Sequence, residues 1–175
     1  MVEQALLIRR LNKNDKRDQF ESGNIHLDRF FRLYAGQNQF KHYIGITYVA
    51  ELNGEIVGFV SVSGGEILSD DLSKTQKQRL PNYPLPILRI ARLAVSIKYQ
   101  NLGIGKQLLK SMFKLAIELK NTSGCVGITV DGKEEAISFY EKLGFELMEV
   151  TNGELPEFPV PASMFLPLKL IEEAS

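Results

Sequence analysis

The sequence is poor in cysteine: Cys125 is the only one. That excludes an intramolecular disulfide and any metal site built from several thiolates. Also missing is an apolar run near the roughly 18–20 residues that a membrane helix requires. The start, MVEQALLIRR, sets an acid before a brief apolar run, unlike a secretory leader. With nothing arguing for export, a cytoplasmic setting is expected. No internal repeat, low-complexity tract or linker breaks the chain. Its 175 residues, 44% hydrophobic and 24% charged, suit one globular domain over residues 1–175 with a core that needs no staples.

Net charge is absent too, but only as a sum. Residues 51–71 carry five acids and no base; residues 72–110 carry eight bases and no acid. The last 55 residues, 121–175, hold three bases against ten acids. A block of 39 residues with charge +8 favours an anionic ligand at the middle of the chain. The alternative is that these lysines and arginines are balanced in space by acids from elsewhere.

Periodicity then places the elements. Ala5–Leu11 reads as a strand. Leu27, Phe30, Phe31 and Tyr34 repeat at helical spacing, which predicts an amphipathic helix over Asn24–Gln39 led in by Ser22–Gly23–Asn24. Ile44–Leu52 and Glu55–Ser63 are β-rich runs on either side of Asn53–Gly54, a strong hairpin signal. Residues 64–86 form a long, Pro-rich connection with a short helix expected near Asp70–Leu80. Ile87–Val95 reads as a buried strand, Leu102–Leu119 as an amphipathic helix and Cys125–Val130 as another strand. Asp131 and Glu134 have the spacing of a capping pair for a helix ended by Gly144. Phe145–Val150 and Met164–Ile171 read as two final strands. The order is that of an α/β fold with a mixed sheet.

The informative stretch is Val95-Ser-Ile-Lys-Tyr-Gln100-Asn-Leu-Gly103-Ile-Gly105-Lys106, between a buried strand and a helix. Gly103 and Gly105 let the backbone turn tightly and approach a ligand. Free amides at a helix start face outward with the positive end of the dipole, which suits a pyrophosphate. Lys98 and Lys106 flank that cradle. Taken alone, Q-x-x-G-x-G is equally the mark of a plain strand-to-helix turn. The sequence has neither G-K-[ST] nor G-x-G-x-x-G with a following acid, so it is not a P-loop or dinucleotide fingerprint.

Further on stands Ser138-Phe139-Tyr140-Glu141-Lys142-Leu143-Gly144-Phe145. Together with the glycine loop this resembles the GNAT superfamily of acyl-CoA-dependent N-acyltransferases, over nearly the whole chain. The resemblance implies the GNAT fold: a mixed, mostly antiparallel sheet flanked by helices. It implies acetyl-CoA as cosubstrate and no metal. The backbone of Leu93, Ala94 and Val95 would pair with the pantetheine arm. Gln100, Asn101, Leu102, Gly103, Ile104, Gly105 and Lys106 would hold the pyrophosphate. Tyr140 matches the tyrosine that protonates the leaving thiolate. Many members carry an asparagine where this sequence has Lys133, a departure that substitutes a cation able to meet a phosphate.

A lysine ammonium near pKa 10.4 needs a base to become a nucleophile, whereas an α-amine near 7.7–8.0 is largely neutral at working pH. The strand before the glycine loop offers Arg89 and Arg92 but no carboxylate, which mildly favours an α-amine acceptor. Arg92 sits within an apolar strand, where a guanidinium needs partners. The stretch Phe20-Glu-Ser-Gly-Asn-Ile-His-Leu-Asp-Arg-Phe-Phe-Arg-Leu-Tyr-Ala-Gly-Gln-Asn-Gln39 and the Pro-rich approach Arg79-Leu-Pro-Asn-Tyr-Pro-Leu-Pro-Ile-Leu-Arg-Ile-Ala-Arg92 resemble the GNAT-type toxins of bacterial toxin–antitoxin pairs. That resemblance implies acetylation of the α-amine of aminoacyl-tRNA, a homodimer and a small DNA-binding antitoxin partner. Lys77, Arg79, Arg89 and Arg92 are the cations expected to meet tRNA phosphates. Two rival expectations stand beside it: an acetyltransferase of small amines, peptides or protein N-termini, and a non-catalytic acyl-CoA-binding module.

Overall fold

The computed structural model describes residues 5–74, 80–148 and 162–174. Its strands are β1 (Leu7–Arg10), β2 (Ile46–Leu52), β3 (Glu55–Ile67), β4 (Leu85–Val95), β5 (Gly127–Gly132), β6 (Glu146–Leu147) and β7 (Ala162–Pro167). They form one mixed, mostly antiparallel sheet in the order β1-β2-β3-β4-β5-β7-β6. By contact density the chain divides into two compact units, Met1–Ser63 with Ala91–Met112, and Gly64–Ile90 with Phe113–Ser175.

In the first unit β1, β2 and the start of β3 are an antiparallel meander. Asn53 and Gly54 take φ of 53° and 78°, the left-handed pair that a type I′ hairpin needs. Asn24 caps α1 (Ile25–Arg29), its side chain accepting from the amides of His26 and Leu27. A π turn, Phe30–Tyr34, follows, and α2 (Ala35–Phe40) completes the segment. The sequence predicts one regular helix here, so the π turn is a finding. Arg17 donates to the Phe31 carbonyl at 2.7 Å, a charge-assisted bond that supports the altered register. Gly36 makes room for it: a Cβ there would stand 2.8 Å from the Arg17 guanidinium. Phe31 stacks on Phe59 at 4.4 Å and Phe20 meets both edge-on. With Leu11, Phe30, Ala35, Val49 and Ala94 these rings make the unit's core.

The helix α3 (Ile104–Thr122) begins in this unit. It can lie close to the sheet because Gly58 has no side chain. A Cβ at that position would be 3.1 Å from the Ala94 carbonyl oxygen and 3.3 Å from Ile104. Gly58 thus sets the height of the helix start above the end of β4.

In the second unit β4 runs parallel to β5, with Arg89 opposite Thr129, and β5 and β6 both pair antiparallel with β7. A 3-10 turn at Glu134–Ala136 precedes α4 (Ile137–Glu141), and Gly144 at φ 98° ends it. Ile67, Leu72, Leu85, Ile87 and Phe165 form the core. Gly127 admits the Phe165 ring, which a Cβ there would meet at 2.6 Å.

Two sequence expectations need correction. The run Met164–Ile171 is not a strand throughout: β7 ends at Pro167 and α5 (Leu168–Ala174) takes over. Proline lacks a ladder donor and suits a helix lead-in, and a short apolar run does not by itself separate strand from helix. Asp131 does not cap a helix; it lies in β5, and Lys133 occupies the cap position of the 3-10 turn. Within Asp70–Leu80 the described residues show a 3-10 turn at Ser69–Asp71 and helical backbone at residue 74; residues 75–79 of the expected helix lie outside the described residues, as do the last two of Phe145–Val150.

Candidate active site

The glycine loop belongs to the first unit. Ser96 donates its amide to Val57 and Ile97 donates to Glu21, which fastens the chain as it leaves β4. A 3-10 turn at Ile97–Tyr99 follows. Asn101 and Gly103 then adopt positive φ, 64° and 85°, so the backbone reverses twice within three residues. The Gly103 carbonyl accepts from the amide of Gln107, which makes Gly103 the residue that opens α3. Among the described residues the amides of Asn101 through Lys106 donate no hydrogen bond. A Cβ on Gly103 would meet nothing within 4 Å: the space in front of it is open.

Those from Gly103 to Lys106 are the unsatisfied first-turn donors of a long helix, aligned with its positive dipole end, and those of Asn101 and Leu102 precede them in the loop. Amides so arranged are able to receive an anion. Lys98, Lys106 and Lys110 are exposed along the same stretch. Gln100 is used differently. Its side-chain amide donates to the carbonyls of Ser22 at 2.8 Å and Val95 at 2.9 Å, so both contacts are to protein backbone.

Leu93 and Val95 are partly exposed at the end of β4, with Ala94 buried between them in the core. The ladder with β5 covers Leu88 to Ile90 and does not reach Leu93–Val95. Arg92 sits over the Phe30 ring, its guanidinium carbon 3.8 Å from the ring centroid.

Tyr140 belongs to the second unit, in α4. It is 6% exposed and wedged edge-on between Phe139 and Phe145, at 5.3 and 5.5 Å. Its hydroxyl makes no hydrogen bond among the described residues. Burial, and after it the negative charge of Asp131, push the phenol up to about 12. Tyr140 is therefore a protonated donor at neutral pH, lacking an acceptor among the described residues.

Asp131 is held in place by an ion pair with Arg89, whose Nε and terminal nitrogen both donate to the same carboxylate oxygen. Ser163 donates to its other oxygen at 3.4 Å. The sequence leaves open that the basic block is balanced by distant acids, but it does not name Asp131 as the partner of Arg89. The register explains it: Arg89 faces Thr129, and Asp131 lies two residues further along β5 on the same face. A signal existed in the opposite charges on two neighbouring strands, but only once the register is known. Lys133, half-buried, follows directly on β5. Lys77 and Arg79 lie outside the described residues.

Among the described residues no three His, Cys, Asp or Glu side chains are grouped to hold a metal ion, and no helix is long and apolar enough to cross a membrane.

The sequence profile of the acetyltransferase (GNAT) domain matches residues 44–147. A tRNA-acetylating toxin of Mycobacterium tuberculosis (strain ATCC 25618 / H37Rv) is 30% identical over 142 residues, 79% of this chain and 83% of the relative. An N-alpha-acetyltransferase of Sulfurisphaera tokodaii is 27% identical over 120 residues, 69% of this chain and 68% of the relative. Among solved structures, AtaT complexed with acetyl-methionyl-tRNAfMet superposes with a TM-score of 0.84 at 22% identity, covering 97% of this chain and 99% of AtaT; at that identity the likeness shows a shared fold.

Proposed function

The chain belongs to the GNAT acetyltransferase family, and on that premise we propose that it moves an acetyl group from acetyl-CoA to the α-amine of an aminoacyl-tRNA. The observation that carries the choice of acceptor is the similarity to a tRNA-acetylating toxin along most of both chains. In this reading residues 1–175 work as one acetyltransferase domain.

The amides of Asn101 to Lys106 take the pyrophosphate, with Lys106 adding charge, and the backbone of Leu93–Val95, beyond the ladder with β5, takes the pantetheine. Lys133 supplies a further cation for a cofactor phosphate. A neutral amine attacks the thioester carbon and its electrons move onto the carbonyl oxygen. Backbone amides aimed at such an oxyanion are typically worth a few kcal/mol each. The oxyanion then collapses, the C–S bond breaks and the pair leaves on sulfur.

Tyr140 is the acid for that sulfur. A phenol at about 12 is a weaker acid than a thiol near 8.5. Transfer to a free thiolate would run uphill, so the hydroxyl works by donating while the bond is still breaking. It recovers its proton from the attacking nitrogen, which is cationic and strongly acidic in the tetrahedral adduct. The net result, starting from the neutral amine, is an amide and a thiol, with the proton of the attacking nitrogen ending on sulfur by way of the phenol.

Arg92, Lys77 and Arg79 are assigned to tRNA phosphates, by their charge and by the likeness to the toxins, with Arg89 joining them only at the cost of its pairing with Asp131. The same likeness supports a cytoplasmic homodimer restrained by a small DNA-binding antitoxin. A second reading, acetylation of protein N-termini, has specific support in the archaeal relative and uses the same kind of amine. Labelled acetyl-CoA separates the two. Label should enter charged tRNA and not the same tRNA stripped of its amino acid. Transfer to peptides alone would select the second reading.

A further inference from the structure

Beyond the residues that touch acyl-CoA, we propose that Gln100 is a positioning residue: its side-chain amide latches the amide cradle of Asn101–Lys106 to the chain that leads into α1, so that filling the cradle also stiffens α1. This rests on the reading that the cradle holds acyl-CoA.

The latch has two halves. On one side the Gln100 Nε2 group donates to Val95 at 2.9 Å, across the base of the loop, and so fixes the distance between the end of β4 and the first left-handed residue, Asn101. On the other side it donates to the Ser22 carbonyl at 2.8 Å. A neighbouring bond, Ile97 amide to Glu21 carbonyl at 2.9 Å, closes the same seam. Ile97 also rests against Gly23, where a Cβ would stand 3.5 Å from its terminal methyl.

Ser22 is itself fully committed. Its amide and hydroxyl both donate to the buried Asp28 carboxylate, at 2.9 and 2.6 Å. Its hydroxyl oxygen accepts from Asn24, the residue that caps α1. The path from cradle to helix therefore runs Gln100, Ser22, Asp28, with every step a hydrogen bond. Loss of the Gln100 donor leaves two carbonyls without that partner and frees the loop at both ends.

The test uses acetyl-CoA alone, without any acceptor. Gln100→Glu keeps the shape and replaces the donor with an anion facing two carbonyl oxygens. Gln100→Arg keeps donors on a long side chain. In the wild type, acetyl-CoA should slow amide exchange in residues 96–106 and also in residues 22–29. Gln100→Glu should weaken acetyl-CoA binding in calorimetry on the order of tenfold and confine the slowing to the loop. Gln100→Arg should recover most of both. If Gln100→Glu does not fold, Gln100→Ala removes the donor without a charge and carries the same readouts. Wild-type affinity in the Glu or Ala variant, or slowing at residues 22–29 that persists in it, overturns the latch. A wild type that takes up no acetyl-CoA overturns the premise and the latch together, whereas failure to label tRNA touches only the choice of acceptor.

Discussion

The Arg92 guanidinium sits 3.8 Å above the centre of the Phe30 ring, joining the strand that precedes the cofactor loop to the first residue of the π turn. A planar cation on an aromatic face gains about 0.5–2 kcal/mol, more as water is excluded. Arg92→Ala should therefore lower unfolding free energy by about that amount. Arg92→Lys should recover only part, because an ammonium has no flat face to offer. Urea denaturation of the two variants checks this; full recovery by lysine would mean that charge alone matters.

Tyr140→Phe should separate chemistry from binding. Removing a general acid typically costs about 10²- to 10⁴-fold in rate, and kcat should fall within that range. Acetyl-CoA affinity should hold. Stability should not drop, since the hydroxyl has no partner among the described residues and an unpaired buried polar group stabilises nothing. A thermal melt beside the kinetics shows whether the loss is catalytic or structural.

The pH dependence follows from the same phenol. Its pKa of about 12 keeps it protonated throughout the working range, so Tyr140 adds no falling limb below about pH 11. The rising limb belongs to the acceptor, near 7.7–8.0 for an α-amine. A folded-state pKa above the unfolded value near 10 means that the folded chain keeps its proton longer. That contribution to stability is complete below pH 10 and is lost as pH rises through about 12. Wild type should therefore lose stability relative to Tyr140→Phe between those limits, as read by denaturation at a series of pH values.

Two glycines should fail for different reasons. Gly103 has open space but a φ of 85°, so Gly103→Ala brings left-handed strain of about 1 kcal/mol and a cradle of altered shape, with acetyl-CoA binding hit harder than stability. Gly58 is crowded by Ala94, Leu108 and Ile104. Gly58→Val should cost stability first, about 1–3 kcal/mol for overpacking, because it lifts α3 from the sheet. Calorimetry and melting measured together distinguish the two patterns.

What the sequence makes legible is what local sterics and local pattern dictate. Asn53–Gly54 and Gly103 are readable because only a few residue types tolerate a left-handed backbone. The helix that carries Tyr140 is readable through its apolar spacing and through Gly144, which ends it. The π turn at Phe30–Tyr34 is not, since the apolar spacing that marks an α-helix survives a one-residue shift in hydrogen bonding. Leu168–Ala174 is apolar enough for either state, and Pro167 decides it. The pairing of Arg89 with Asp131 depends on strand register, and the contact of Gln100 with Ser22 joins positions far apart in the chain. Neither is written in any local pattern.

The most direct measurement is the mass of the aminoacyl-adenosine released by nuclease from charged tRNA after incubation with this protein and acetyl-CoA. The account predicts a gain of one acetyl group, located on the α-nitrogen by fragmentation and lost in Tyr140→Phe at equal times. An unchanged mass across every aminoacyl-tRNA, in a preparation that binds acetyl-CoA and acetylates peptide N-termini, would contradict it.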